Sequence, residues 1–445
     1  MSISWDKIGN KLKKIFTHNW FKNMGWVFSA KIISMVAFLI TDMILGRFLG
    51  KSDYGEWAFF YSVITFVFYI FWLGINQAAR VFVTKEDSIE KRNVIIKSSF
   101  LLRVFVSAIC AVVLLLSSNL IARILGYPQR HYDLAFLLKA GCLISIGNCF
   151  LEYAKQMTMG IQNYKGFFIC NIVEFISIMV GVIICLIICN NVRSVGIGYG
   201  IAYIIASIIA LNIILKGTSK SAVDKKCIAD IMKYSMPLAL LGIGGMLMVE
   251  MDTFMLGLMS TSEQVAVYSI AKSLTTKVAQ VNYAITCATI QDFATIDSQN
   301  YNEKRKQFRN VSKINIWVTS LITVGFLLFS GIGIDILYGK QYHEAAYTII
   351  ALLPYYVCLS LSNFNSNFLD FNGKANSRLV CYIITIVVNF ICNFIMIPRF
   401  GAYGAAFASG IAMIPYTIIL IVMSKKLLNS YEYKRDNILD DKSMQ

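Results

Sequence analysis

Ionisable residues are scarce in this chain. Asp, Glu, Lys and Arg together make up 15% of its 445 residues, against roughly 25% in soluble globular proteins. Histidine is scarcer still. His18, His131 and His343 are the whole complement and all lie outside the apolar runs, which argues against a histidine-based catalytic or zinc site. The eleven cysteines contain no CxxC pair. Ten of them sit in or at the ends of apolar stretches, where cysteine behaves as a small hydrophobe, so neither a disulfide scaffold nor a thiolate metal centre is indicated. No Gly-x-x-x-x-Gly-Lys-Ser/Thr phosphate loop occurs, so ATP is not an expected ligand and no cofactor is implied.

What the chain has instead is apolar length. Hydrophobic residues make up 57% of it, and the mean hydropathy is +0.62. A helix needs about 20 predominantly apolar residues to cross a bilayer. Twelve such runs are present, approximately 26–46, 57–78, 98–119, 134–153, 167–189, 195–215, 234–256, 265–288, 314–334, 346–369, 379–398 and 403–424. The sequence therefore predicts an all-α integral membrane protein of about twelve transmembrane helices. The expected organisation is a cytoplasmic N-terminal segment 1–25, a six-helix lobe 26–215, a cytoplasmic linker 216–233, a second six-helix lobe 234–424 and a cytoplasmic tail 425–445. No small-residue cleavage site follows a short apolar core, so no cleaved signal peptide is expected.

Twelve crossings put both ends of the chain on one side. The formal net charge of +16, from 41 Lys+Arg against 25 Asp+Glu, concentrates in the segments on that side. The richest are Arg80 to Lys97, Lys216 to Lys233 and Lys304-Arg305-Lys306 to Lys313. The positive-inside rule makes that side cytoplasmic. Basic loops of this kind meet anionic lipid headgroups. No aromatic-interleaved basic domain accompanies them, so nucleic acid is not an expected partner.

Two halves are visible. Thr41-Asp42-Met43-Ile44-Leu45-Gly46 at the end of the first run resembles Asp252-Thr253-Phe254-Met255-Leu256-Gly257 at the end of the seventh, an offset of 211. Gly196-Ile197-Gly198-Tyr199-Gly200 resembles Gly404-Ala405-Ala406-Phe407-Ala408, an offset of 208. Six crossings per half make the lobes parallel repeats related by a pseudo-two-fold axis along the membrane normal, with a site expected between them.

Ten charges fall inside the runs: Lys31, Asp42, Arg103, Lys139, Glu152, Glu174, Glu250, Asp252, Lys272 and Lys277. Each costs at least about 2.5–3.5 kcal/mol at mid-bilayer on insertion scales and is a functional candidate by default. Lys31, Arg103 and Lys139 lie near enough to a membrane face to snorkel, and Glu152 is practically interfacial. Glu174 and Lys272 lie near the midplane, Lys277 further in, and Asp42, Glu250 and Asp252 in the outer third. Lys31 and Asp42 return to within about 20° of one helix face. Lys277, Gln280 and Asn282 form a polar stripe. Glu250 and Asp252 look like a metal-binding pair, but helical positions two apart face away from each other, so no metal is expected. Cations lean inward, where an anionic headgroup arriving from the cytoplasm meets them first; Lys and Arg both suit phosphate. For the deeper charges two arrangements stay open, cavity lining and pairing between helices, for example Glu174 with a lysine. Pro237, Pro354 and Pro415 mark kinks that are either hinges or static. The polar run Ser360 to Asn376, with Asn363, Asn365, Asn367 and Asn372, is expected to line a cytoplasmic vestibule.

Three stretches carry a family resemblance: Gly46-Arg47-Phe48-Leu49-Gly50 through Tyr54-Gly55, Leu73-Gly74-Ile75-Asn76-Gln77-Ala78-Ala79-Arg80, and Ile397-Pro398-Arg399-Phe400-Gly401-Ala402-Tyr403-Gly404-Ala405-Ala406. In this order and spacing the chain resembles the polysaccharide (O-antigen or exopolysaccharide) repeat-unit flippases. Their superfamily also contains multidrug-and-toxin exporters and the peptidoglycan lipid flippase. The resemblance implies transport of an undecaprenyl-pyrophosphate-linked oligosaccharide across a bacterial cytoplasmic membrane by alternating access, driven by a proton or sodium gradient. It also implies a polysaccharide polymerase and glycosyltransferases as partners. By type and depth it carries substrate contact to Lys31, Arg80, Lys272 and Lys277, beside Gln280 on the polar stripe. Asp42, Glu174 and Glu250 are the candidates for ion coupling. A cation-coupled drug exporter of the same architecture is the alternative. A membrane glycosyltransferase or polymerase would need an acidic or arginine-rich external loop, which the sequence lacks, so the chain reads as a transporter and not an enzyme.

Overall fold

A computed structural model describes residues 19–125, 131–216, 221–295, 301–371 and 374–443. Among them are twelve α-helices: α1 (Asn19–Phe48), α2 (Lys51–Trp72), α3 (Ile75–Lys85), α4 (Ile89–Leu125), α5 (His131–Gly160), α6 (Tyr164–Ile188), α7 (Val192–Leu215), α8 (Lys225–Met259), α9 (Ser262–Thr295), α10 (Tyr301–Leu337), α11 (Glu344–Phe371) and α12 (Ala375–Ser443). No strand occurs among the described residues. The lysines at 7, 11, 13 and 14 of the N-terminal segment lie outside them.

The apolar runs fall in helix except at Leu73-Gly74 and at Cys189. Nine helices are long and apolar enough to span a membrane, among the described residues. One of them, α12, contains two crossings: its apolar stretch Ser377–Asn429 has 53 residues, about 80 Å at 1.5 Å per residue, against a hydrocarbon thickness of about 30 Å. The chain turns back at Gly401, whose φ of 55° and ψ of −128° lie outside the helical region. A Cβ there would stand 2.6 Å from Gln264 Oε1, at the end of a flexible side chain, so it is the backbone conformation that requires glycine. Pro237, Pro354 and Pro415 lie inside helix; the break in α12 falls at Gly401, three residues after Pro398. Helices α2 and α9, which cover most of the expected run 57–78 and all of 265–288, are not among those nine: Asp53 and Glu56 precede the run in α2, and Lys272 and Lys277 lie within the run in α9.

One expected span is interrupted. The run 57–78 ends as helix at Trp72, because Leu73 (φ 49°) and Gly74 (φ 65°) adopt the left-handed conformation in succession. The short α3 continues beyond, with Ile75, Asn76, Ala78, Ala79 and Val83 on its buried face. Hydropathy alone does not register this break, since leucine there is as apolar as its neighbours.

The chain divides into two compact units, one of residues 1–53 and 60–246 and the other of residues 54–59 and 247–445. In the first, α5 and α6 both pack on α7, α4 packs on α5, and α1 packs on α6. The starts of α6 and α7 are capped by Asn163 and Asn191, whose Oδ1 atoms accept from Gly166 N and Ser194 N, each at 2.8 Å, as N-cap asparagines do. In the second, α11 is central, packing against α9, α10 and α12. Large apolar side chains such as Phe105, Leu116, Ile187, Trp317, Leu321 and Leu328 remain exposed. In a soluble protein so much exposed hydrocarbon would mark an interaction surface; on spanning helices it faces lipid.

Candidate functional site

Two glutamates of the first unit meet at a residue that the apolar run missed. Helix α5 continues past position 153 to Gly160, which brings Lys155 inside the fold, 7% exposed. Its Nζ donates to Glu152 Oε1 at 2.9 Å and to Glu174 Oε2 at 2.6 Å. Glu174 is thus held by a lysine on the neighbouring helix, the pairing arrangement and not a bare cavity carboxylate. The sequence signal was available in the i,i+3 spacing of Glu152 and Lys155. Lys31 is exposed on α1 and within electrostatic reach of Glu152. Asp42 is half-buried and acts electrostatically on Tyr199 of α7. Between them on α1, Ser34 Oγ donates to Asn171 Oδ1 at 3.2 Å. Arg80 is half-buried on α3, and Lys139 is exposed.

Arg103 does not snorkel. It is fully buried, donating through Nη1 to the Trp72 carbonyl at 3.1 Å and through Nη2 to Cys149 Sγ at 2.6 Å. No described carboxylate pairs with it. Its charge meets the carbonyl end of α2, where the helix dipole is negative. It thereby anchors the break at Leu73 and Gly74, whose left-handed leucine costs of order 1–2 kcal/mol.

In the second unit Glu250 and Asp252 face different neighbours, as their spacing requires. Glu250 Oε2 accepts from Lys272 Nζ at 2.9 Å, and the same ammonium reaches Thr253 Oγ1 at 3.2 Å. The candidate coupling acid and the candidate substrate lysine therefore neutralise each other. Lys277 is half-buried and Gln280 exposed further along α9. Asn282, the third member of that stripe, turns inward and donates to Thr319 Oγ1 at 2.9 Å.

Asp252 is 4% exposed and has no cationic partner among the described residues. It accepts from Tyr268 Oη at 2.6 Å, Asn393 Nδ2 at 2.6 Å, Ser409 Oγ at 2.5 Å and Asn389 Nδ2 at 3.2 Å. Asn393 Oδ1 is buried beside it with no partner. A buried carboxylate held only by neutral groups and adjoining an unpartnered carbonyl oxygen is an electrostatically incomplete site. A proton on the carboxyl, or a small hard cation taken by the carboxylate with amide and hydroxyl oxygens, completes it. Among the described residues no cluster of three His, Cys, Asp or Glu side chains forms a metal centre, so any ion here would rest on one acid and neutral oxygens. Sequence reading placed Asp252 among the intramembrane charges but not among the site residues. Asn389, Asn393 and Ser409 supply its environment from 137 to 157 residues away.

The polar run on α11 turns largely onto itself. Asn365 and Asn367 donate to the Leu361 and Asn363 carbonyls, and Ser362 bonds Thr417 of α12 at 2.8 Å. Asn372 and the side chain of Asn376 lie outside the described residues.

Residues 20–290 match the family described as Polysaccharide biosynthesis protein. The probable low-salt glycan biosynthesis flippase Agl15 of Haloferax volcanii is 24% identical over 206 residues, 45% of this chain and 43% of that protein. The matched stretch thus spans less than half the length of that curated relative. The fold is similar to the inward-facing conformation of a multidrug resistance MATE family transporter of the MOP superfamily, with TM-score 0.76, 11% identity and coverage of 90% of this chain and 96% of that one. It is also similar to the lipid II flippase MurJ in its inward closed conformation, with TM-score 0.74, 17% identity and coverage of 90% and 87%.

Proposed function

The chain belongs to the polysaccharide biosynthesis protein family, and from that premise we propose that it is a flippase. Its substrate is an undecaprenyl-pyrophosphate-linked oligosaccharide, moved from the cytoplasmic to the outer leaflet of a bacterial cytoplasmic membrane by alternating access, with both chain termini cytoplasmic. It makes or breaks no covalent bond. A relative named as a glycan biosynthesis flippase and a fold shared with the lipid II flippase support this reading. Lys31, Arg80, Lys272, Lys277 and Gln280 are the proposed contacts for pyrophosphate and sugar, and a polymerase and glycosyltransferases the proposed partners.

The observation that carries the coupling step is the Asp252 pocket. Glu174 and Glu250 are already neutralised by lysines, whereas Asp252 has only neutral partners, so it is the acid whose charge a coupling proton or sodium ion would settle. Binding there would change the net charge of the buried cluster, and so bias one conformation over another only as far as the ion prefers it. In proteoliposomes containing the lipid-linked substrate, Asp252→Asn is expected to lower gradient-driven transport at least tenfold while the protein remains folded. Unchanged gradient dependence would remove Asp252 from the coupling role. The fold shared with a multidrug transporter keeps a second reading, a cation-coupled drug exporter. Gene deletion separates the two: loss of surface polymer supports the flippase, and loss of resistance to cationic dyes with normal surface polymer overturns it.

A further inference from the structure

A pocket of about 510 Å³ opens in the second unit between α10, α11 and the second arm of α12, within the roughly 300–1,000 Å³ of small-ligand sites. It lies toward the Tyr301 end of α10 and the Phe371 end of α11. Arg305, Phe308, Arg309, Ser312, Asn315 and Ile316 all line it. They form one i, i+3, i+4 face of α10. Lys425 adds a third cation from α12, and among the described residues no carboxylate lines it. The wall is aromatic: the Phe308 ring lies 5.0 Å from that of Phe364.

Asn315 is the informative residue. It is 1% exposed, yet neither its Oδ1 nor its Nδ2 has a hydrogen-bond partner. Native structures seldom leave a buried amide in that condition, and a missing ligand is one of the reasons they do. Six residues separate Arg309 from Asn315, about 9 Å along the helix. Going inward, the pocket therefore presents cations beside the Phe308 and Phe364 rings, then hydroxyl and amide groups beside the aliphatic side chains of Ile316, Leu361 and Ile421. A glycerophospholipid has the same sequence of chemistry: headgroup phosphate, ester-linked glycerol, acyl chain.

We propose that this pocket binds an anionic glycerophospholipid, with its phosphate against Arg305, Arg309 and Lys425, a glycerol ester carbonyl accepting from Asn315, and one acyl chain along Ile316, Leu361 and Ile421. Basic pockets between spanning helices hold anionic headgroups by charge and multiple donors. A polyprenyl phosphate offers the phosphate and the hydrocarbon but no ester for the amide. The amide therefore favours a resident membrane lipid over the transported carrier.

The test is lipid binding to the purified full-length protein, read by native mass spectrometry and thermal unfolding, so it is independent of transport. Phosphatidylglycerol is expected to bind at least tenfold more tightly than phosphatidylcholine and to raise Tm. Arg309→Gln with Lys425→Gln should abolish that preference, and Asn315→Leu should weaken phosphatidylglycerol several-fold while leaving polyprenyl phosphate unchanged. If the double variant unfolds, Arg309→Gln alone is expected to reduce the preference several-fold. Undiminished preference in the variants overturns the site. Equal stabilisation by inorganic phosphate, or tighter binding of polyprenyl phosphate than of phosphatidylglycerol, overturns the assignment to a glycerophospholipid.

Discussion

In each half of the chain the last two membrane crossings pack side by side, and the two halves fill that seam in opposite ways. Between α6 and α7 of the first unit the backbones nearly touch. A Cβ added at Gly198 would stand 2.6 Å from Cys185 Sγ and 3.0 Å from the Gly181 carbonyl oxygen, the close small-residue approach common between membrane helices. Between the two arms of α12 the seam is polar, with Asn389 Nδ2 donating to Ser409 Oγ at 3.3 Å and both contacting Asp252. The internal repeat aligns Asp252 with Thr41, which turns its hydroxyl onto the Ala37 carbonyl at 3.0 Å. One half thus closes its seam by shape, while the other keeps it open enough for a carboxylate that requires company. The first reads as scaffold and the second as a site.

The largest effect expected from testing that contrast concerns the buried lysines. Lys155 serves two glutamates and Lys272 one. Lys155→Met leaves Glu152 and Glu174 uncompensated and should destabilise by about 3–5 kcal/mol, with Glu174→Gln in the same chain restoring much of the loss. Lys272→Met strands one carboxylate, Glu250, instead of two and should cost less, about 3 kcal/mol. Thermal unfolding in detergent measures both, and equal losses would erase the distinction. Next in size, Gly198→Val should cost about 1–3 kcal/mol by overpacking, detected as a lower Tm. Ser409→Ala should cost about 1 kcal/mol while weakening the ion dependence of transport, because it takes one donor from Asp252. A Gly198→Val protein with altered ion dependence, or a Ser409→Ala protein without it, would reverse the assignment of scaffold and site.

The helices were legible because a bilayer demands about 20 apolar residues in a row, and that demand is local. What stayed hidden is not local. Lys155 escaped because an apolar run stops at the first cluster of polar residues, whereas the backbone hydrogen bonds of α5 continue to Gly160. Arg103 was misplaced because its distance from the membrane face permits snorkelling, and only the open carbonyl of Trp72 and the thiol of Cys149 show why it stays inside. Asp252 was visible as a charge but not as a site, since its meaning lies in partners more than a hundred residues downstream. Glu174 and Glu250 illustrate the converse: their depth was legible from sequence, but their neutralisation by lysines was not.

The setting of Arg103 also bears on how the protein is made. As a lone segment leaving the ribosome, α4 would carry an uncompensated guanidinium, which it could relieve only by snorkelling to the near membrane face. One of its two partners, the Trp72 carbonyl, belongs to a helix synthesised earlier, and the other, Cys149, to one that emerges later. The earlier partner is therefore the one already present when the arginine emerges. The left-handed break after Trp72 is then more than a bend in a finished molecule. It leaves a carbonyl waiting in the membrane for a charge that has yet to be translated.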